Sequence, residues 1–209
     1  MIGSRDASFA KSLNREVSED GWIFTRRLVL QPAGHEHVPR ICKLLRDKSM
    51  ARWVSPIRYP YPAADAHSFV QMAAAMRARS GPGDRAIMLR SNRSIMIGMV
   101  SCVRRGKGTG DHVLGYWMSG PYRRRGFAGE AARAMVEAAF EMGAPAILAE
   151  FLLGNHASRR LMERLGMRRT GMGWNRSRLL EKKRQRCNIG SQVRTGQNGG
   201  GARPWPSRF

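Results

Sequence analysis

The sequence predicts a mixed α/β (α+β) fold, a sheet flanked by helices, on three observations. Strand-length apolar runs alternate with segments whose apolar residues recur every three or four positions. No internal repeat is present. The stretch from Leu114 to Thr170 also gives, in order, an apolar strand, a basic glycine-containing turn, an amphipathic helix, a second apolar strand and a capped helix.

Residues 1–21 are polar and aperiodic and read as a flexible leader. Trp22 to Leu30 (WIFTRRLVL) reads as one strand. Gly34 to Lys48 reads as a helix striped by Val38, Ile41, Leu44 and Leu45. Met50 to Pro62 is aromatic and punctuated by proline, which allows at most a short helix. Ala63 to Ala78 reads as a helix starting near Asp65, with Phe69, Met72 and Met76 along it. Two strands, Ala86 to Leu89 and Ile95 to Val103, follow the Gly81–Asp84 turn and are joined through Ser91–Ser94. A turn at Gly106 to Gly110 leads into the strand from Val113 to Met118.

The helix after the basic turn shows Phe127, Ala131, Met135, Ala138 and Met142 on one face. Asn155 is a good N-cap for the last helix, and Gly166 stands where a helix closes in a left-handed residue. A strand, a tight turn and a helix in direct succession form an anion site, because the first N–H groups of the helix have no partner within it.

The segment Arg123-Arg124-Arg125-Gly126-Phe127-Ala128 resembles the acyl-coenzyme-A signature of the GNAT superfamily of N-acetyltransferases, Gln/Arg-x-x-Gly-x-Gly/Ala. The resemblance runs on through Gly129-Glu130-Ala131-Ala132 and Asn155-His156-Ala157-Ser158 to Leu165-Gly166-Met167. Its order and spacing resemble the branch containing the ribosomal-protein alanine acetyltransferases. Thr25-Arg26-Arg27-Leu28 resembles that branch's opening strand. One departure stands out: the family carries glycine where Arg124 stands.

The resemblance implies a GNAT-like, mostly antiparallel mixed sheet with helices on both faces and acetyl-CoA as co-substrate. It implies an acetyl group passed by direct attack to a primary amine, either a protein N-terminus or a small amine. The expected coenzyme residues are Arg123, Arg124, Arg125, Gly126, Phe127 and Ala128 at the turn. Trp117 and Met118 would offer backbone groups to the pantetheine arm, as Tyr116 would beside them, and Asn155 would bond the same arm. Ser158 is the candidate acid for the leaving thiolate and Glu150 the candidate base. Against these stand plain structural roles. Asn155 and Ser158 form a self-sufficient cap, Glu150 can be a strand-surface carboxylate paired with an arginine, and Glu130 suits a first-turn dipole position.

The formal net charge of +22 calls for an anionic partner: the coenzyme, nucleic acid, the ribosome or a membrane surface. A basic nucleic-acid- or ribosome-binding module on a degenerate acetyltransferase fold is therefore the rival reading, and salt dependence separates it. The stretch from Trp174 carries nine Lys and Arg against Glu181 alone, so the body is basic as well. Cys42, Cys102 and Cys187 lack metal spacing, and the five histidines are scattered, so no metal is expected. Reduced thiols, with no apolar run of spanning length and no signal-peptide core, suit a cytoplasmic protein that does not enter the membrane.

Residues 174–209 read as a basic, glycine-rich, disordered tail, and only Met167 to Trp174 offers a further strand. On that reading the sheet lacks its last strand. One account is a changed reading frame: the codons for Glu181 to Gly190, read from the third base, permit Glu-Glu-Ala-Pro-Ala-Val-Gln-His-Trp, a more strand-like string. A stop codon in that frame of the gene would remove the account.

Overall fold

The computed structural model describes residues 15–51, 53–54, 57–77, 81–105, 110–177 and 182–192. Among these, nine strands form one sheet in the order β1-β2-β3-β4-β5-β6-β7-β9-β8. They are β1 (Glu16–Val17), β2 (Ile23–Phe24), β3 (Leu28–Pro32), β4 (Gly83–Leu89), β5 (Asn92–Arg104), β6 (His112–Met118), β7 (Ala146–Leu152), β8 (Arg168–Ser177) and β9 (Lys182–Gln192). The helices are α1 (Val38–Leu45), α2 (Lys48–Ala51), α3 (Ala63–Met76), α4 (Phe127–Glu141) and α5 (His156–Arg164). All the pairings are antiparallel except β6 with β7.

Strand alternation sends side chains to two separate cores. Leu28, Leu30, Ile87, Ile97 and Val100 meet Phe127, Ala131, Met135 and Ala139 of α4 and Met162 of α5. Val29, Ala86, Met88, Met96 and Met99 meet Val38, Ile41 and Leu45 of α1 and Ala66 and Val70 of α3 on the other face. Helices on both faces of a mixed sheet are what the apolar periods require.

Several expectations are corrected. The run from Trp22 to Leu30 is not one strand, because the chain turns at 25–27 and β2 pairs back on β3. Thr25 makes that turn: its hydroxyl accepts from the Leu28 N–H at 3.1 Å, and its own N–H donates to the Leu28 carbonyl at 2.9 Å. Strand β1 lies within the residues read as leader. On α3 the buried residues are Ala66 and Val70, whereas Met72 and Met76 are exposed, as is Met142 after α4. The sheet does not lack its last strand: β9 lies between β7 and β8, antiparallel to both, from Ala146↔Gln192 to Leu152↔Arg186 along β7. Backbone ladders on both sides recruit a strand that its polar composition does not advertise. Residues 193–209 lie outside the described residues.

Candidate active site

The one parallel seam makes the site. Strands β6 and β7 pair only at His112↔Ile147, Val113↔Leu148 and Leu114↔Ala149, and beyond that point they separate. The gap opens into a cavity of about 980 Å³ lined by Gly115 to Met118 on one lip and Glu150 to Leu152 on the other. Ser49, Met50, Trp53 and Val54 border it, as do the turn at 123–126, the first turn of α4, and Asn155, Ser158 and Leu161.

The basic turn has the geometry of an anion cradle. Arg124 sits at φ 61° and Gly126 at φ 80°, both in the left-handed region. For Gly126 this is free, whereas for Arg124 it costs about 1–2 kcal/mol, which accounts for the glycine that the resembling signature carries there. Gly126 caps α4 without any side-chain hydrogen bond, so the opening N–H groups at 127–129 are not capped by it. Phe127 is buried and anchors the helix, and Ala128 and Gly129 are small and leave the backbone open to approach.

The three arginines of the turn do different things. Arg123 reaches away from the cradle. Its Nε donates to the Met118 carbonyl at 2.9 Å, its Nη1 to Ser49 Oγ at 3.0 Å, and its Nη2 lies 3.8 Å from Asp47. Arg124 lines the cavity and is exposed. Arg125 is exposed and lies over the rings of Tyr122 and Phe127.

The start of α4 is held in place by contacts from far upstream. Glu130 accepts from Thr25 Oγ1, the Arg27 N–H and Arg27 Nε, each at 2.7 Å. Burial pushes its carboxyl up, but the bonds from Thr25 and Arg27 and the guanidinium charge outweigh that and hold it below the usual glutamate range. Arg27 also donates to the Arg125 carbonyl at 3.0 Å and lies 4.6 Å over the Phe127 ring.

On the facing side, Asn155 caps α5 by accepting from the Ser158 N–H at 3.1 Å. The helix closes at Gly166, φ 79°, where the Met167 N–H reaches the Met162 carbonyl and the Gly166 N–H the Glu163 carbonyl. Ser158 Oγ lies 2.7 Å from the hydroxyl of Tyr116. Burial pushes the Tyr116 phenol up to about 12, although the Ser158 bond pulls the other way, so it keeps its proton at neutral pH.

Strand parity sorts these groups by face. Leu114, Tyr116 and Met118 pack with α4 and α5, and Trp117 packs with the α1–α3 core. On β7, Ala149 and Phe151 belong to the first core, which leaves Glu150 on the second face with Trp117 and Met50. A hydroxyl pair and a carboxylate therefore border one gap from opposite faces of the sheet.

All the coenzyme and catalytic candidates line the cavity except Arg125, which lies on its outer edge. Four contributors escape a reading of the sequence. The Tyr116 hydroxyl was read only through its backbone, and Thr25, Arg27 and Ser49 lie far from the motif in sequence. The aromatic, proline-punctuated stretch from Met50 to Pro62 supplies Met50, Trp53 and Val54 to the second wall. Among the described residues, no group of three or more His, Cys, Asp or Glu could hold a metal ion, and no helix is long and apolar enough to cross a membrane.

The model of the acetyltransferase (GNAT) domain family matches residues 27–168. No curated protein matches the chain. Among solved structures, a GNAT-family acetyltransferase from Bacillus anthracis superposes with TM-score 0.67 at 19% identity, covering 82% of this chain and 98% of its own. RimL, a ribosomal L7/L12 alpha-N-protein acetyltransferase in complex with coenzyme A, gives 0.69 at 16%, covering 81% and 96%. The microcin C7 self-immunity acetyltransferase MccE, in complex with acetyl-CoA and AMP, gives 0.68 at 12%, covering 81% and 94%. At these identities the likeness speaks for the fold.

Proposed function

Because the chain belongs to the GNAT acetyltransferase family and is an N-acetyltransferase of that type, we propose that it acetylates a primary amine, a protein N-terminus in preference to a small amine, through the cavity at the β6–β7 seam. One observation carries this reading: the uncapped start of α4 and the Tyr116–Ser158 pair border the same opening in the sheet.

The residues fit acetyl-CoA. Two left-handed positions, Arg124 and Gly126, turn the chain so that the amides at 125–128 can face the cradle, where a diphosphate gains from both N–H donors and the helix dipole. The separated edges of β6 and β7 leave backbone groups for an extended arm to pair with, as a strand would, Tyr116 and Met118 on one side and Asn155 on the other, whereas the Trp117 backbone faces β5. When bound, acetyl-CoA supplies an acetyl group already activated as a thioester.

The chain's own residues do the rest. Ser158 holds a proton at Oγ facing the cavity, and Tyr116, kept neutral by burial, donates to that oxygen and fixes its direction. Tyr116 is thus a positioning residue for the acid. Glu150, on the opposite face, takes the proton of the incoming ammonium, directly or through one water. Arg123 ties the turn to Ser49 and so keeps the coenzyme wall and the acceptor wall in register. The preference for a protein N-terminus rests on the open cavity and on RimL, which acts on such a terminus. Free thiols at Cys42 and Cys102 agree with a cytoplasmic enzyme.

The test is a thermal-shift titration with acetyl-CoA, followed by thiol release with peptide N-termini and small amines as acceptors. Ligand at a hundred times its Kd stabilises by about 2.7 kcal/mol, roughly 5–10 °C for a chain this size. No shift at millimolar acetyl-CoA sinks the reading. Release with polyamines alone would move the acceptor to the small-amine class.

A further inference from the structure

The coenzyme cradle uses little of the cationic surface, and the strongest part of the remainder is a continuous strip of arginines leading away from it. We propose that Arg125, Arg27, Arg26, Arg90 and Arg93 form a binding strip for single-stranded RNA that starts at the rim of the catalytic cavity and leaves it toward Arg90 and Arg93.

The strip is built from successive contacts. Arg125 and Arg27 share the Phe127 ring, their guanidinium carbons 5.3 and 4.6 Å from its centroid. The Arg90 N–H donates to the Arg27 carbonyl at 2.8 Å, and its Nη1 to the Thr25 carbonyl at 2.9 Å, which fixes the next guanidinium beside the first two. Arg90 and Arg93 then share the Phe24 ring at 5.9 and 5.5 Å. Arg26 is exposed in the β2–β3 turn, between Phe24 and Arg27 in sequence, and also lines the cavity. The ion pair of Arg27 with Glu130 is the one salt bridge described for these five side chains. A basic surface with no partner would spread its charges apart to reduce repulsion. Here four guanidiniums are held over two aromatic rings, with a fifth arginine exposed in the adjoining turn.

The chemistry favours nucleic acid over an acidic protein. All five residues are arginine, whose planar fork matches phosphate oxygens. A guanidinium held over a phenyl ring can take a nucleobase on its other face, a stacking contact that a carboxylate cannot make. A single strand can follow the bend from the phosphate turn to the β4–β5 hairpin, whereas a stiff duplex touches it at one end only.

The experiment is fluorescence anisotropy of a labelled single-stranded RNA of about 20 nucleotides against the full chain, from about 50 to 300 mM salt, without and with saturating coenzyme A. Four or more phosphate contacts give a slope of log K on log salt of about −3, at roughly −0.7 per contact. Arg90→Ala/Arg93→Ala should weaken binding about tenfold or more at low salt and flatten the slope by about 1–1.5. Arg93→Glu alone, exposed at the start of β5, should weaken binding at least as much. The control Arg46→Ala/Arg77→Ala removes the same charge from the ends of α1 and α3 and should change the slope by less than half as much.

Four results overturn the proposal: no binding at about 50 mM salt, equal loss in the control pair, equally tight binding of poly-glutamate, or displacement of RNA by coenzyme A. The last would hand the strip to the coenzyme, and poly-glutamate binding would hand it to an acidic protein. The acetyl-CoA melting shift is recorded on the same Arg90/Arg93 variants. Its absence in wild type refutes the acetyl-transfer site without touching the RNA result.

Discussion

Replacing Glu130 tests how the coenzyme-facing helix is held. Its carboxylate, 18% exposed, accepts three bonds at 2.7 Å from Thr25 and Arg27, residues more than a hundred positions away. Glu130→Ala leaves the buried Thr25 hydroxyl and the Arg27 N–H without that acceptor. At about 1–3 kcal/mol for each stranded polar group, discounted because Arg27 is 40% exposed and water can reach it, the loss is about 2–4 kcal/mol. That corresponds to roughly 4–15 °C in Tm. The sign with pH follows from the depressed folded-state pKa. The stabilisation is complete above the ordinary glutamate value of 4.5 and fades as pH falls through the lower folded value. Glu130→Gln keeps the shape and should lose this pH dependence, so its deficit against wild type is largest at neutral pH and narrows in acid. Urea unfolding at neutral and acid pH measures both. A Glu130→Ala midpoint equal to that of wild type would refute the view that this cluster fixes α4. The acetyl-CoA affinity of the variant should also fall, since the cradle amides ride on the same turn.

Other substitutions probe the rest of the site. Ser158→Ala should lower kcat by about a hundredfold with KM for acetyl-CoA nearly unchanged, and Tyr116→Phe by about tenfold. In steady-state assays Tyr116→Phe should add little on top of Ser158→Ala, because the tyrosine acts through the serine. Arg124→Gly should raise stability by up to about 1 kcal/mol in urea titrations, since it relieves a left-handed arginine although the unfolded chain gains freedom. Gly98→Ala places a Cβ 2.3 Å from the Trp117 carbonyl oxygen and 2.8 Å from Met118 Sδ. It should cost about 2 kcal/mol or more by calorimetry and abolish the acetyl-CoA shift, because the lip of β6 must move.

The parts legible in the sequence were those written in local chemistry. A 3.6-residue period marks α4, Asn155 and Gly166 mark both ends of α5, and the basic turn marks the cradle, because caps and periods are set by neighbours in sequence. What escaped was written in long-range geometry. Nothing in Arg27 announces that it will clamp Glu130, and Tyr116 shows its hydroxyl role only once α5 folds over β6. The break at Thr25 was hidden by β-branched and apolar neighbours that suit an unbroken strand equally well. Strand β9 was missed because backbone pairing with β7 and β8 places it, and its side chains carry no apolar alternation to read. Met72 and Met76 misled because a methionine stripe marks a helix face without saying which face the protein covers.

The short parallel seam carries a mechanical implication. Three residue pairs join β6 to β7, so one sheet is in effect two plates sharing a narrow weld, with α4 lying against both. A molecule lodged along the open part of that join would act as a rivet between the plates. Amide exchange along β7, β9 and α5 should therefore slow on acetyl-CoA binding well beyond the residues it touches.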